Sequence, residues 1–126
     1  MIFGWDISTS IIGVAVLDDS GKFVASEYLD LRKMEGVFAK GDAAEFFTRT
    51  VIGKHGTHGP NHHFVEERLA NFSSGRTMMQ TLMALASFNL LVSWFIYCTD
   101  KDVRHIHPST VKAIMKREGL VIPKGG

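Results

Sequence analysis

The sequence has one cysteine, Cys98, in 126 residues. No disulfide framework can form within the chain, and a reducing, intracellular (cytoplasmic) setting is the expectation. The histidine-rich stretch His55–His63 has no paired cysteines beside it and lacks the ligand spacing of a structural zinc site, so it reads as a surface loop. No basic segment precedes an apolar one at the start, and no signal peptide is expected. Internal repeats and low-complexity tracts are also missing.

Charge is missing from one long stretch. Thr77 to Thr99 is a run of 23 residues without an Asp, Glu, Lys or Arg. Its length would admit a membrane span. Gln80, Asn89, several Ser and Thr, and the lack of a flanking basic cluster argue instead for a helix covered on more than one face, with no membrane partner. One face can pack on a sheet; the other is a candidate homodimer interface through the 77–99 helix.

What is present begins with size: 126 residues suffice for a single domain with its own core. The net charge of +1 hides an asymmetry, since residues 1–63 carry six basic and eight acidic side chains while 64–126 carry eight basic and five acidic. Lys112, Lys116, Arg117 and Lys124 gather late in the chain, which suits either a solvated helix face or a phosphate-rich partner.

The chain is organised around Ile2–Asp18, in which one acid, Asp6, interrupts an apolar strand. A carboxylate in a covered strand is costly unless a cation or a donor cluster compensates it. The alternative is that Asp6 caps the Ser8-Thr9-Ser10 turn through backbone N–H groups. Strand, turn and strand are followed by a hairpin turn at Asp18–Gly21 and a third strand over Lys22–Leu29. Asp30 to Gly41 reads as a connector broken by Gly36 and Gly41. Asp42 and Glu45 resemble a capping box opening a helix with Phe46, Phe47, Val51 and Ile52 inward, ending near Gly53. His63–Glu67 is a short strand, and alternation sends Glu66 and Glu67 to opposite faces. After the 77–99 helix come a strand at Val103–His107 and a helix opening at Pro108-Ser109-Thr110 and ending at Gly119.

Strand, long helix and strand form a crossover unit, so the Glu66 and Ile106 strands should run parallel. If the Glu66 strand also lies beside the first strand and parallel to it, Asp6 and Glu66 meet at one end of neighbours spaced about 4.8 Å apart. Two carboxylates at that spacing suit Mg²⁺, with Mn²⁺ able to substitute, far better than zinc.

Gly4-Trp5-Asp6-Ile7-Ser8, Gly13-Val14-Ala15-Val16, Phe64-Val65-Glu66-Glu67 ahead of a long helix, and Pro108-Ser109-Thr110-Val111-Lys112 together resemble RuvC-type Holliday junction resolvases of the RNase H-like superfamily. The resemblance implies an α/β fold with a mixed five-stranded sheet, three antiparallel strands then two parallel, flanked by helices. It also implies a homodimeric, Mg²⁺-dependent endonuclease that cuts branched, four-way DNA. By motif, Asp6 and Glu66 match the catalytic, metal-binding acids, with Glu67 as the fallback should the register shift by one. Lys112 matches a DNA-contacting lysine, and Arg68, Arg76 and Lys116 are further candidates for phosphate contact.

The family carries a base-stacking aromatic shortly after the second acid; Leu69 stands there, with Phe72 nearby as a substitute. The family's other metal-binding acids sit on a final helix, whereas this chain has no Asp or Glu after Glu118. The expectation is therefore a domain over 1–126 without its C-terminal helix, binding metal weakly and cleaving poorly. The Asp6–Ser10 turn also resembles the first phosphate motif of the actin and sugar-kinase superfamily, an ATP-binding alternative. A non-catalytic RNase H-like DNA-binding domain and the RuvC-related processors of ribosomal RNA precursors are the others.

Overall fold

A computed structural model describes residues 1–67 and 76–107, with side chains in the second helix described from Met79 onward. The elements run β1 (Ile2–Ile7), β2 (Ile11–Leu17), β3 (Phe23–Asp30), α1 (Val37–His55), β4 (His62–Glu66), α2 (Arg76–Thr99) and β5 (Val103–Ile106). The sheet order is β3-β2-β1-β4-β5. β1, β2 and β3 pair antiparallel, while β4 runs parallel to both β1 and β5. The mixed sheet expected from the strand–helix–strand order is therefore present, and the helix expected after Pro108 lies outside the described residues.

Alternation sorts each strand into two faces. Phe3, Trp5 and Ile7 of β1, Ile12, Val14 and Val16 of β2, and Val65 of β4 are buried in one core with Ala44, Val51 and Ile52 of α1 and Phe88, Val92 and Ile96 of α2. Met79–Thr99 is long and apolar enough to cross a membrane. Its Leu82, Phe88, Val92 and Ile96 are nevertheless buried within the protein. The helix is amphipathic in the sense that matters here, with one side in the core.

Three local expectations are corrected. α1 opens at Val37 rather than Asp42, because Gly36 takes a left-handed φ of 87° and ends the connector five residues earlier than the Asp42–Glu45 pair suggested. Asp42 thus lies inside the helix, Phe46 points outward at 74 % exposure, and Ala44 and Thr48 take inner positions. Gly41 is no breaker: it is a buried helical residue facing α2, where an added Cβ would stand 3.5 Å from Leu91 Cδ2.

The histidines of the 55–63 stretch also separate. His55 ends α1 and pairs with Glu27 of β3, His62 pairs with Asp102, and His63 is fully buried in β4. Only residues 56–61 connect α1 to β4. A single surface loop was expected because the helix and the strand each borrow residues from its ends.

Candidate functional site

β1 and β4 are held in register by their buried faces. Phe3 lies opposite His63 and Trp5 opposite Val65. Trp5 Nε1 donates to His63 Nδ1 at 3.0 Å, which fixes the tautomer: His63 carries its proton on Nε2 and donates it to Asp100 Oδ2 at 2.8 Å. The Phe3 ring stacks on the imidazole with centroids 4.6 Å apart, and Phe47 of α1 meets Trp5 edge-on at 6.4 Å. Burial pushes the His63 pKa below its ordinary value, against the opposing pull of Asp100.

The paired register ends at Trp5 and Val65, so Asp6 and Glu66 are the next residue on each of two neighbouring parallel strands. In parallel strands residues in register point to the same face. Since Trp5 and Val65 both point into the core, Asp6 and Glu66 both point to the sheet face that neither α1 nor α2 covers. Asp6 is exposed and Glu66 half-buried. Glu67 follows the strand by one residue, its N–H donating to Ile106 O at 2.8 Å, so alternation directs it away from that face.

The turn after Asp6 closes on itself. Ser8 Oγ accepts from the N–H groups of Ser10 and Ile11, and Ser8 N–H donates to Ile11 O. Ser8 thus supplies the cap that the alternative reading gave to Asp6. Lys40 of α1 braces the turn from below, its Nζ donating to Thr9 O at 2.8 Å. Donors committed in this way are not presented to a nucleotide phosphate, which counts against the ATP-binding alternative.

Asp6 is paired across the ladder with Gly13, and Gly13 with Tyr28, so Asp6, Gly13 and Tyr28 form one row across three strands. Tyr28 is 73 % exposed. In the next row Arg104 of β5 pairs with Phe64, its guanidinium 5.9 Å from the ring centroid. Asp30, two residues beyond Tyr28, is committed elsewhere: the Arg32 guanidinium bonded to it holds its carboxyl down at about 2.

Two carboxylates at corresponding ends of neighbouring strands are hard oxygen donors, of the kind that suits Mg²⁺ or Mn²⁺ and not a soft metal. Among the described residues no third His, Cys, Asp or Glu completes a cluster with them. Arg68 and Phe72, the Arg76 side chain, Lys112 and Lys116 lie outside the described residues. Cross-strand register, which local pattern does not reveal, places Tyr28 in the row of Asp6 and Arg104 opposite Phe64. Sequence reasoning noticed Asn89 as a polar interruption of an apolar helix without a partner for it. That partner is the Glu66 carbonyl, which accepts from Asn89 Nδ2 at 3.0 Å.

No sequence-family profile matches the chain, and no curated protein sequence matches it. Solved structures do. The chain has an RNase H-like fold, a mixed five-stranded sheet flanked by two helices. Thermus thermophilus RuvC in complex with a Holliday junction substrate superposes with a TM-score of 0.64 at 15 % identity, over 93 % of this chain and 72 % of that one. A second Thermus thermophilus RuvC structure gives 0.62 at 14 % identity, over 98 % and 73 %. This similarity concerns the fold.

Proposed function

We propose that the chain is a metal-dependent nuclease of the RuvC type, acting on branched DNA and specifically on four-way junctions. The observation that supports the proposal is that β1 and β4 are parallel neighbours, with Asp6 and Glu66 each one residue past the last pair, Trp5–Val65, and on the face opposite α1 and α2. In this assignment both acids are catalytic and both hold the cation. A divalent ion held by Asp6 and Glu66 would supply a polarised water and charge stabilisation at the leaving oxygen. The residues of the chain orient the phosphodiester.

The face around the acids suits a nucleic acid. Gly13 adds no side chain between Asp6 and the exposed Tyr28 ring, which gives a base a stacking surface beside the acids. Arg104 supplies a cation on the same face, and Arg68, Phe72, Arg76, Lys112 and Lys116 are assigned to the same partner. Recognition through backbone phosphates makes binding fall as salt rises.

A homodimer through α2 completes the proposal. Met83, Ser87, Leu90, Trp94 and Tyr97 follow one another at alternating spacings of four and three residues, and all are exposed. That is the spacing of a helix–helix seam, and a strip of this kind is unusual on a soluble surface that stays uncovered.

The test is cleavage of a synthetic four-way junction with Mg²⁺ or Mn²⁺ by the wild-type chain, Asp6→Asn and Glu66→Gln. Each substitution should lower cleavage roughly a hundredfold or more while junction binding persists. Equal cleavage by either variant refutes the assignment of the acids. Junction binding by the wild type without any metal-dependent cleavage would favour the non-catalytic DNA-binding domain.

A further inference from the structure

We propose that Asn89 is a positioning residue for the metal site: its carboxamide fixes the end of β4 so that the Glu66 carboxylate stands beside Asp6. This rests on the assignment of the two acids as cation ligands and adds to it a residue that touches neither cation nor substrate.

Asn89 is 5 % exposed, in a helix whose buried residues include Leu82, Phe88, Val92 and Ile96 with Ser93. A leucine would fill such a place at no desolvation cost, so a buried amide there calls for a partner. Its Nδ2 donates to the carbonyl of Glu66, at the point where the main-chain ladder to β1 has run out. The β1–β4 pairing stops at Trp5 and Val65, while β1 continues beside β2 through Asp6–Gly13 and Ile7–Ile12. A side chain from the helix below therefore takes over where pairing with β1 leaves off.

Asn89 is itself held. Its main-chain carbonyl accepts from Ser93 Oγ at 2.7 Å, and Ser93 Oγ lies 3.0 Å from His105 Nε2 on β5. β5 is the other neighbour of Glu66, through the Glu66–Ile106 pair. Helix, metal-site strand and edge strand are joined by one run of hydrogen bonds ending at Glu66. A strand end free to fray would scatter the carboxylate over several directions. Holding its backbone sets the Cα–Cβ vector before any cation arrives, which is how groups behind a ligand raise metal affinity.

The experiment is titration of the full chain with Mn²⁺, following free Mn²⁺ by electron paramagnetic resonance, alongside thermal melts. The wild type, Glu66→Gln, Asn89→Leu and Asn89→Gln are compared. Asn89→Leu keeps the volume and loses the donor; its Mn²⁺ dissociation constant should rise about tenfold. Asn89→Gln keeps an amide and should recover part of the loss. Should the leucine variant not fold, Asn89→Ser, too short to reach the carbonyl, takes its place with the same expected tenfold loss. A folded variant without the donor that binds Mn²⁺ as tightly as the wild type overturns the role of Asn89 alone. A wild type that takes up no Mn²⁺, or Glu66→Gln binding it unchanged, overturns the underlying assignment of the acids.

Discussion

Replacing His63 with Phe should destabilise the protein at neutral pH by an amount that shrinks as the solution is acidified. The substitution keeps an aromatic ring against Phe3 but removes the acceptor for Trp5 Nε1 and the donor to Asp100. The indole N–H is then left buried without a partner, at a cost of about 1–3 kcal/mol. The pH dependence follows from burial, which holds the His63 pKa in the folded chain below its ordinary 6.5. Protonation would also place a hydrogen on Nδ1, where Trp5 already directs one. Below pH 6.5 the unfolded chain binds a proton that the folded chain refuses, so stability rises with pH and is lost on acidification.

Between about pH 7.5 and about pH 5.5 this linkage removes up to about 1.4 kcal/mol from the wild type. His63→Phe lacks the group and escapes that loss, so the stability gap between the two proteins should narrow by up to that amount. Urea unfolding followed by far-ultraviolet circular dichroism across the range gives the gap directly. Taking the difference between the proteins cancels the pH dependence that they share. A gap that stays constant, or widens towards acid, would refute the fixed neutral tautomer.

Other outcomes follow from the same packing. Gly41→Ala should stabilise α1 by about 1 kcal/mol in a thermal melt, since helix propensity favours alanine and the new Cβ meets Leu91 at an ordinary 3.5 Å; a lower melting temperature would show that the α1–α2 crossing tolerates no methyl. Gly56→Ala should cost about 1–3 kcal/mol, because its Cβ would lie 2.5 Å from the Ile52 carbonyl oxygen, and a neutral result would mean the α1 terminus moves freely. Leu90→Glu changes a residue that is 66 % exposed, so the chain should fold and sediment as a monomer; an unchanged sedimentation coefficient removes α2 as the dimer seam. Tyr28→Ala should weaken junction binding by roughly 5- to 100-fold without altering the melt, as loss of one stacked base predicts, whereas Tyr28→Phe should bind normally.

Local pattern was enough to decide which elements exist. Alternating apolar residues around Asp6 and Gly13, the Asp18–Gly21 turn and the charge-free 77–99 run each dictate a strand, a hairpin or a helix through contacts a few residues apart. Strand–helix–strand order then made β4 and β5 parallel through the handedness of the crossover. These terms lie in the chain itself.

The tertiary structure decided what depends on partners distant in sequence. Helix α1 begins at a left-handed glycine that no hydrophobic period reveals, and it turns Phe46 outward because the crossing with α2 buries Gly41, Ala44 and Thr48 instead. His63 is a core residue only because Trp5 and Asp100 both reach it, 58 and 37 positions away. Asn89 reads as a blemish in an apolar helix until the end of β4 is laid over it. Buried polar groups take their meaning from whichever donor or acceptor the fold brings within 3 Å, and that information is carried by no single stretch of sequence.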